Sequence, residues 1–178
     1  MAFDRIIKYD IIYVMTPEKE KFYEKATRKL LDTVDKMGLD EISHMRAKNL
    51  VLLFRDSFKL RDVKNKTLAP YLGDKIKDLT YDSDGFCRAA SINFALMMGG
   101  KDWQVRYIDS SLWTYGSHYF LMHIPSKTVL DLTYDQFEIL GLSVPYEFGH
   151  KIDYSLDNIS TKFAKALNLT PLLNNQKG

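Results

Sequence analysis

The chain has 178 residues, 46% of them hydrophobic and 13% aromatic, enough for a real apolar core and too much for intrinsic disorder. Its single cysteine excludes a disulfide scaffold, and 25 Lys and Arg against 23 Asp and Glu leave a near-neutral molecule with no nucleic-acid partner expected. No run reaches the roughly 18 uninterrupted apolar residues of a membrane helix, and the charged opening lacks a secretion signal's apolar stretch, so a cytoplasmic setting without membrane association is expected.

No repeat, low-complexity tract or long linker divides the sequence, and one domain over residues 1–178 is expected. The first clear element is a helix opening at Thr16-Pro17-Glu18. Thr16 can cap it, Pro17 suits the first helical position, and Glu18 favours the positive end of the helix dipole. Phe22, Ala26, Leu30, Val34 and Met37 then recur at helical spacing until Gly38, a face that reads as core. Residues 40–77 are mixed, with an apolar run at Leu50–Phe54. Lys59, Arg61, Lys64 and Lys66 read as a solvated face, because no aromatic platform accompanies them.

After Ser83-Asp84-Gly85, the residues Cys87, Ser91, Phe94 and Met98 lie at helical intervals, and Gly99-Gly100 ends the run. Ser83 or Asp84 is the expected cap, which places Cys87 in the first turn. Three segments rich in β-branched and aromatic residues follow as strands: 103–108, 118–124 and 128–134, with Pro125-Ser126 at the turn between the last two. A final helix is expected over 156–167, capped by Ser155, with Ile159, Phe163 and Ala166 inward. Helices followed by a helix feeding an antiparallel meander read as α+β.

A lone cysteine is most often a small buried hydrophobe. At a helix start, however, exposed N–H groups and the dipole favour thiolate, the form that attacks a carbonyl carbon. An imidazole beside it would take the proton and return it to the leaving group. Of His44, His118, His123 and His150, only His118 and His123 fall in the strands expected to pack on the cysteine helix.

The hairpin separates these two. If its loop holds an even number of residues, opposed positions sum to an odd number. His118 and Asp131 then share a face and His123 and Asp131 do not. The favoured face reads His118, Phe120, Met122, Val129, Asp131 and Thr133. A carboxylate beside an imidazole fixes its tautomer and stabilises the imidazolium, so Cys87, His118 and Asp131 form a candidate catalytic relay.

The same three residues as zinc ligands are disfavoured, because no closely spaced ligand pair accompanies them. No Gly-x-Ser-x-Gly elbow or phosphate-binding glycine loop is present, and the expected chemistry needs no cofactor. Trp113 and Tyr115 either line a substrate cleft or anchor their loop. Gln136 either contacts substrate or ties down a turn. The Cys87 N–H is a natural oxyanion donor, with Tyr81 or a loop as the second.

At these residues the sequence resembles the transglutaminase-like branch of the papain-like superfamily. Gly85-Phe86-Cys87-Arg88-Ala89-Ala90-Ser91 is similar to its nucleophile motif. Gly100 with Trp103–Tyr107 sits at the place of its glycine turn and first core strand. Ser117-His118-Tyr119-Phe120 resembles the histidine strand, and Leu130-Asp131-Leu132-Thr133 the closing Asp-x-Thr motif. The match covers residues 84–137.

The resemblance implies a papain-like core, with the cysteine-bearing helix packed on an antiparallel sheet and further helices at both ends of the chain. It makes Cys87 nucleophile, His118 base and acid, and Asp131 the orienting acid. The implied activity is amide hydrolysis by a cysteine peptidase, amidase or deamidase acting on a protein, peptide or amide substrate. Amine transfer, or a binding module that keeps the fold without catalysis, is the alternative. Arg88 stands where large transglutaminases carry an aromatic residue, so protein cross-linking is not implied. The stretch Asp131–Phe137 is similar to small bacterial and phage papain-fold proteins. In the rival reading of an interaction protein, Tyr146 and Phe148 are exposed aromatics on a partner surface.

Overall fold

A computed structural model describes residues 16–79 and 82–170. Tyr81, a candidate oxyanion donor, lies outside the described residues. The architecture is α+β. Among the described residues there are six α-helices and one four-stranded antiparallel sheet in the order β3-β2-β1-β4.

Helix α1 (Pro17–Asp35) starts as its sequence dictates, with the Lys19 N–H donating to the Thr16 side chain. Its buried stripe is Tyr23, Ala26, Leu30 and Val34. Tyr23 takes the place expected for Phe22, because its hydroxyl finds an acceptor in the buried Arg55 carbonyl. The mixed stretch resolves into α2 (Glu41–Phe58) and α3 (Arg61–Leu72), followed by a 3-10 turn. Asp40 caps α2, accepting from the Ser43 N–H at 3.0 Å. The solvated face holds for Lys66, which pairs with Asp62 one turn earlier. Lys64 departs from it: its side chain is 13% exposed and lies 3.6 Å from the buried Asp82 carboxylate.

Helix α4 (Cys87–Met97) is the centre of the molecule. Ala89, Ala90, Ile92, Phe94 and Ala95 are buried, and these small and aromatic side chains let neighbours approach closely on several sides. Neither Ser83 nor Asp84 caps the helix. Phe86 occupies the cap position without a side-chain hydrogen bond, and Cys87 is the first helical residue. Gly85 precedes it at a φ of +80°, a turn that any side chain would strain. The Phe86 ring anchors this end by stacking on Phe58 at 4.7 Å and packing against Phe163.

Strand β1 (Trp103–Ile108) has the expected bounds. Strand β2 (His118–His123) and β3 (Thr128–Leu130) are each shorter than expected, and Asp131–Tyr134 forms a turn rather than more strand. The register pairs Leu121 with Leu130 and His123 with Thr128, so opposed positions sum to an odd number. A fourth strand, β4 (His150–Lys151), joins the free edge of β1.

The sheet's two faces have different covers. Trp103, Val105, Leu121 and Leu130 belong to the central core, with Trp103 edge-on to Phe94 of α4 at 5.0 Å. The opposite face bears Phe120, which lies outside that central core. Phe120 packs under Tyr146 at 4.9 Å. Helix α5 (Asp135–Glu138) follows the Asp131 turn. Helix α6 (Asn158–Ala166) is capped by Asp157 rather than Ser155, since Asp157 accepts the Ser160 N–H at 2.8 Å. The Asn93 amide joins α4 to α6 by donating to the Ala89 and Ser160 carbonyls. No described helix is long and apolar enough to cross a membrane.

Candidate active site

Cys87 and His118 are the first residues of α4 and β2. Backbone alternation puts His118 on the Phe120 side of the sheet, yet its place at the strand's start brings it beside the start of α4. The imidazole is 1% exposed, and its Nε2 lies 2.7 Å from Asp131 Oδ2. The even hairpin loop is what allows this: Asp131 is one residue beyond β3, on the diagonal from His118.

The hydrogen bonds around Asp131 assign the proton. Its Oδ1 accepts from the Thr133 N–H at 3.0 Å and from the Thr133 hydroxyl at 3.3 Å. Its Oδ2 accepts from the Tyr146 hydroxyl at 2.9 Å as well as from His118. An ionised carboxylate only accepts, so His118 Nε2 is the donor and Nδ1 is the nitrogen left to exchange a proton. Nδ1 is buried and has no partner with full hydrogen-bond geometry. The Cys87 side chain is among the groups that act electrostatically on the ring.

Burial alone would push the imidazolium toward neutrality. The Asp131 charge and hydrogen bond, reinforced by Cys87, outweigh it and raise the His118 pKa to about 10. Burial, followed by the Asp131 carboxylate, pushes the Tyr146 hydroxyl far above the ordinary tyrosine value, so it remains a donor.

The expected cleft residues take distinct places. Trp113 packs against Phe137 at 4.5 Å and lies edge-on to His118 at 6.1 Å, while Phe137 meets the imidazole edge-on at 4.9 Å. Tyr115, 56% exposed, touches Trp113 at 5.8 Å. Gln136 donates its amide to the Thr133 carbonyl at 3.0 Å, which ties down the Asp131 turn. Arg88 bridges the cap of α6 and β2, donating to Asp157 at 2.5 Å and to the Tyr119 hydroxyl at 3.0 Å.

The remaining histidines stand apart from His118 and Asp131. His123 bonds Ser126 at 2.7 Å in the hairpin, His44 pairs with Asp35, and His150 packs edge-on to Tyr107. Among the described residues no group of three or more His, Cys, Asp or Glu side chains could hold a metal ion.

Two residues of this site carry no signal in the sequence. Tyr146 is turned inward onto Asp131, not outward as an exposed aromatic; Phe148, two residues on, is 51% exposed. Arg55 of α2 is fully buried and grips Asp135 through two hydrogen bonds of 2.6 and 3.0 Å. It also donates to the Leu132 carbonyl at 3.1 Å, immediately after Asp131. The buried Arg55 thereby fixes the turn that carries the acid.

Comparison of the chain with protein families, curated proteins and solved structures finds no match.

Proposed function

We propose that the protein is a thiol-dependent acyl-transfer enzyme that hydrolyses amide bonds through Cys87, His118 and Asp131, on a papain-like core of the transglutaminase-like kind. The observation that carries this reading is the buried His118–Asp131 hydrogen bond of 2.7 Å, with Cys87, the first residue of α4, among the groups that act on the same ring.

His118, held charged at neutral pH by Asp131, stabilises a thiolate on Cys87 beside it, and that sulfur attacks the carbonyl carbon of a protein, peptide or simple amide. The tetrahedral oxyanion collects beside the N-terminus of α4, where the Cys87 N–H is a donor. As the C–N bond breaks, His118 passes its proton to the leaving amine and a thioester remains. Water, deprotonated by the same imidazole, attacks that thioester; the C–S bond breaks, releasing the carboxylic acid and restoring the thiol. Asp131 holds Nε2 and balances the imidazolium in each half-reaction. Hydrolysis is preferred to amine transfer because Arg88 stands where large transglutaminases carry an aromatic residue.

Because Cys87 is the sole cysteine, intact-mass kinetics with iodoacetamide report on it alone. Wild type is expected to form one adduct at neutral pH, Cys87→Ser none, and His118→Ala to react slower by on the order of tenfold. Equal rates in wild type and His118→Ala would overturn the reading and leave an inert thiol in a binding module. Reaction as proposed makes peptide and side-chain amides the substrates to screen.

A further inference from the structure

The segment between α5 and β4 crosses the sheet face that α4 does not cover. One end is fixed by β4, where His150 and Lys151 pair with Tyr107 and Arg106 of β1. Beside it, Arg106 clasps the Gly149 carbonyl through both Nε, at 3.1 Å, and Nη2. Gly149 lies flat on Phe120, and a methyl group in its place would overlap the ring. Three residues earlier, a 3-10 turn after Pro145 lays the Tyr146 ring edge-on to that same Phe120 and delivers its hydroxyl to Asp131 Oδ2.

We infer that this segment is a strap whose function is to aim the acid, and that Tyr146 is a positioning residue for His118 acting through Asp131. The two donors on Oδ2 reach it from different elements, β2 and the strap, while Oδ1 is held from its own turn by Thr133. The carboxylate is therefore fixed on every side, and His118 can meet it in only one orientation. Without the phenol, Asp131 keeps its charge but can swing about its side-chain bonds, and the imidazole loses its fixed aim at Cys87. The inference rests on the proposed Cys87–His118–Asp131 relay.

The test is a double-mutant cycle read by Cys87 alkylation with iodoacetamide at pH 7. Tyr146→Phe is expected to slow the reaction about threefold to tenfold, toward the lower end of the range in which hydrogen-bonded neighbours couple. In the His118→Ala background the same change is expected to have no effect, because the strap acts only through the imidazole. The far-downfield ring N–H proton resonance of His118 is expected to broaden or vanish in Tyr146→Phe.

Gly149→Ala, which lifts the strap off Phe120 with Tyr146 intact, is expected to reproduce the Tyr146→Phe rate and to add nothing to it. Wild-type reactivity and an unchanged ring proton in Tyr146→Phe would overturn the inference. So would equal slowing in both backgrounds, the mark of a merely structural role. If His118→Ala itself reacts like wild type, the relay fails first and the strap's role with it.

Discussion

Replacing Arg55 by methionine should be among the most damaging single changes outside Cys87, His118 and Asp131. Arg55 has no exposed surface, and its partner Asp135 is 3% exposed. Methionine keeps most of the stem's length over the Tyr23 ring, where the guanidinium carbon sits 3.7 Å from the centroid, so little cavity is created. What is lost is the partner of a buried carboxylate, together with the donors to Leu132 and Thr27. Orphaning one member of a buried pair costs about 3–5 kcal/mol. For a chain of this length that lowers Tm by roughly 6–20 °C.

Urea unfolding followed by circular dichroism measures the loss. The decisive comparison is the double variant Arg55→Met/Asp135→Leu, which removes both charges. It should be at least about 1 kcal/mol more stable than Arg55→Met alone, because no unpaired charge remains inside. A loss under about 1 kcal/mol for the single variant, the value of an exposed pair, would refute the reasoning. So would a double variant less stable than the single.

Stability should also fall as pH rises from about 6.5 to 10. His118 has its folded pKa raised from 6.5 to about 10, so over this window the folded state holds a proton that the unfolded state has released. The contribution is complete below the lower value and lost above the upper one; a Tm-against-pH series should show this slope in wild type and a flatter one in His118→Ala. Gly85→Ala should cost about 1–2 kcal/mol from its left-handed backbone alone, and its methyl group would also press on Leu68 at 3.2 Å; denaturant melts check this. Phe163→Ala should cost about 3–5 kcal/mol, since that ring packs on Phe54, Phe58 and Phe86 at once. A loss near 1 kcal/mol, the mean for any point change, would show that the three neighbours collapse into the gap.

What could be read from the sequence follows from how local each cause is. Strand β1 begins and ends where its pattern does because Trp103, Val105 and Ile108 are buried between a glycine turn and a polar loop. The His118–Asp131 pairing was legible for a purely geometric reason: one even hairpin loop sets the parity of every residue pair across it. Helix α2 was hidden by its own chemistry. Its inner face places Arg55 and Ser57 among Val51, Phe54 and Phe58, so the apolar period breaks where the helix is most deeply buried. A charge at such a position reads as solvent-facing until its partner is known, and Asp135 is 80 residues away. Tyr146 is obscured in the same way: Pro145 and Glu147 beside it describe a surface turn, and only Asp131, 15 residues earlier, draws it inward. Local periodicity can thus nominate the imidazole and its acid. The groups that hold the acid in place come from α2 and the strap, whose relation to it exists only in the folded chain. A search for active thiols that scores only the cysteine, histidine and acid would therefore pass over the two side chains that hold the acid and its turn in place.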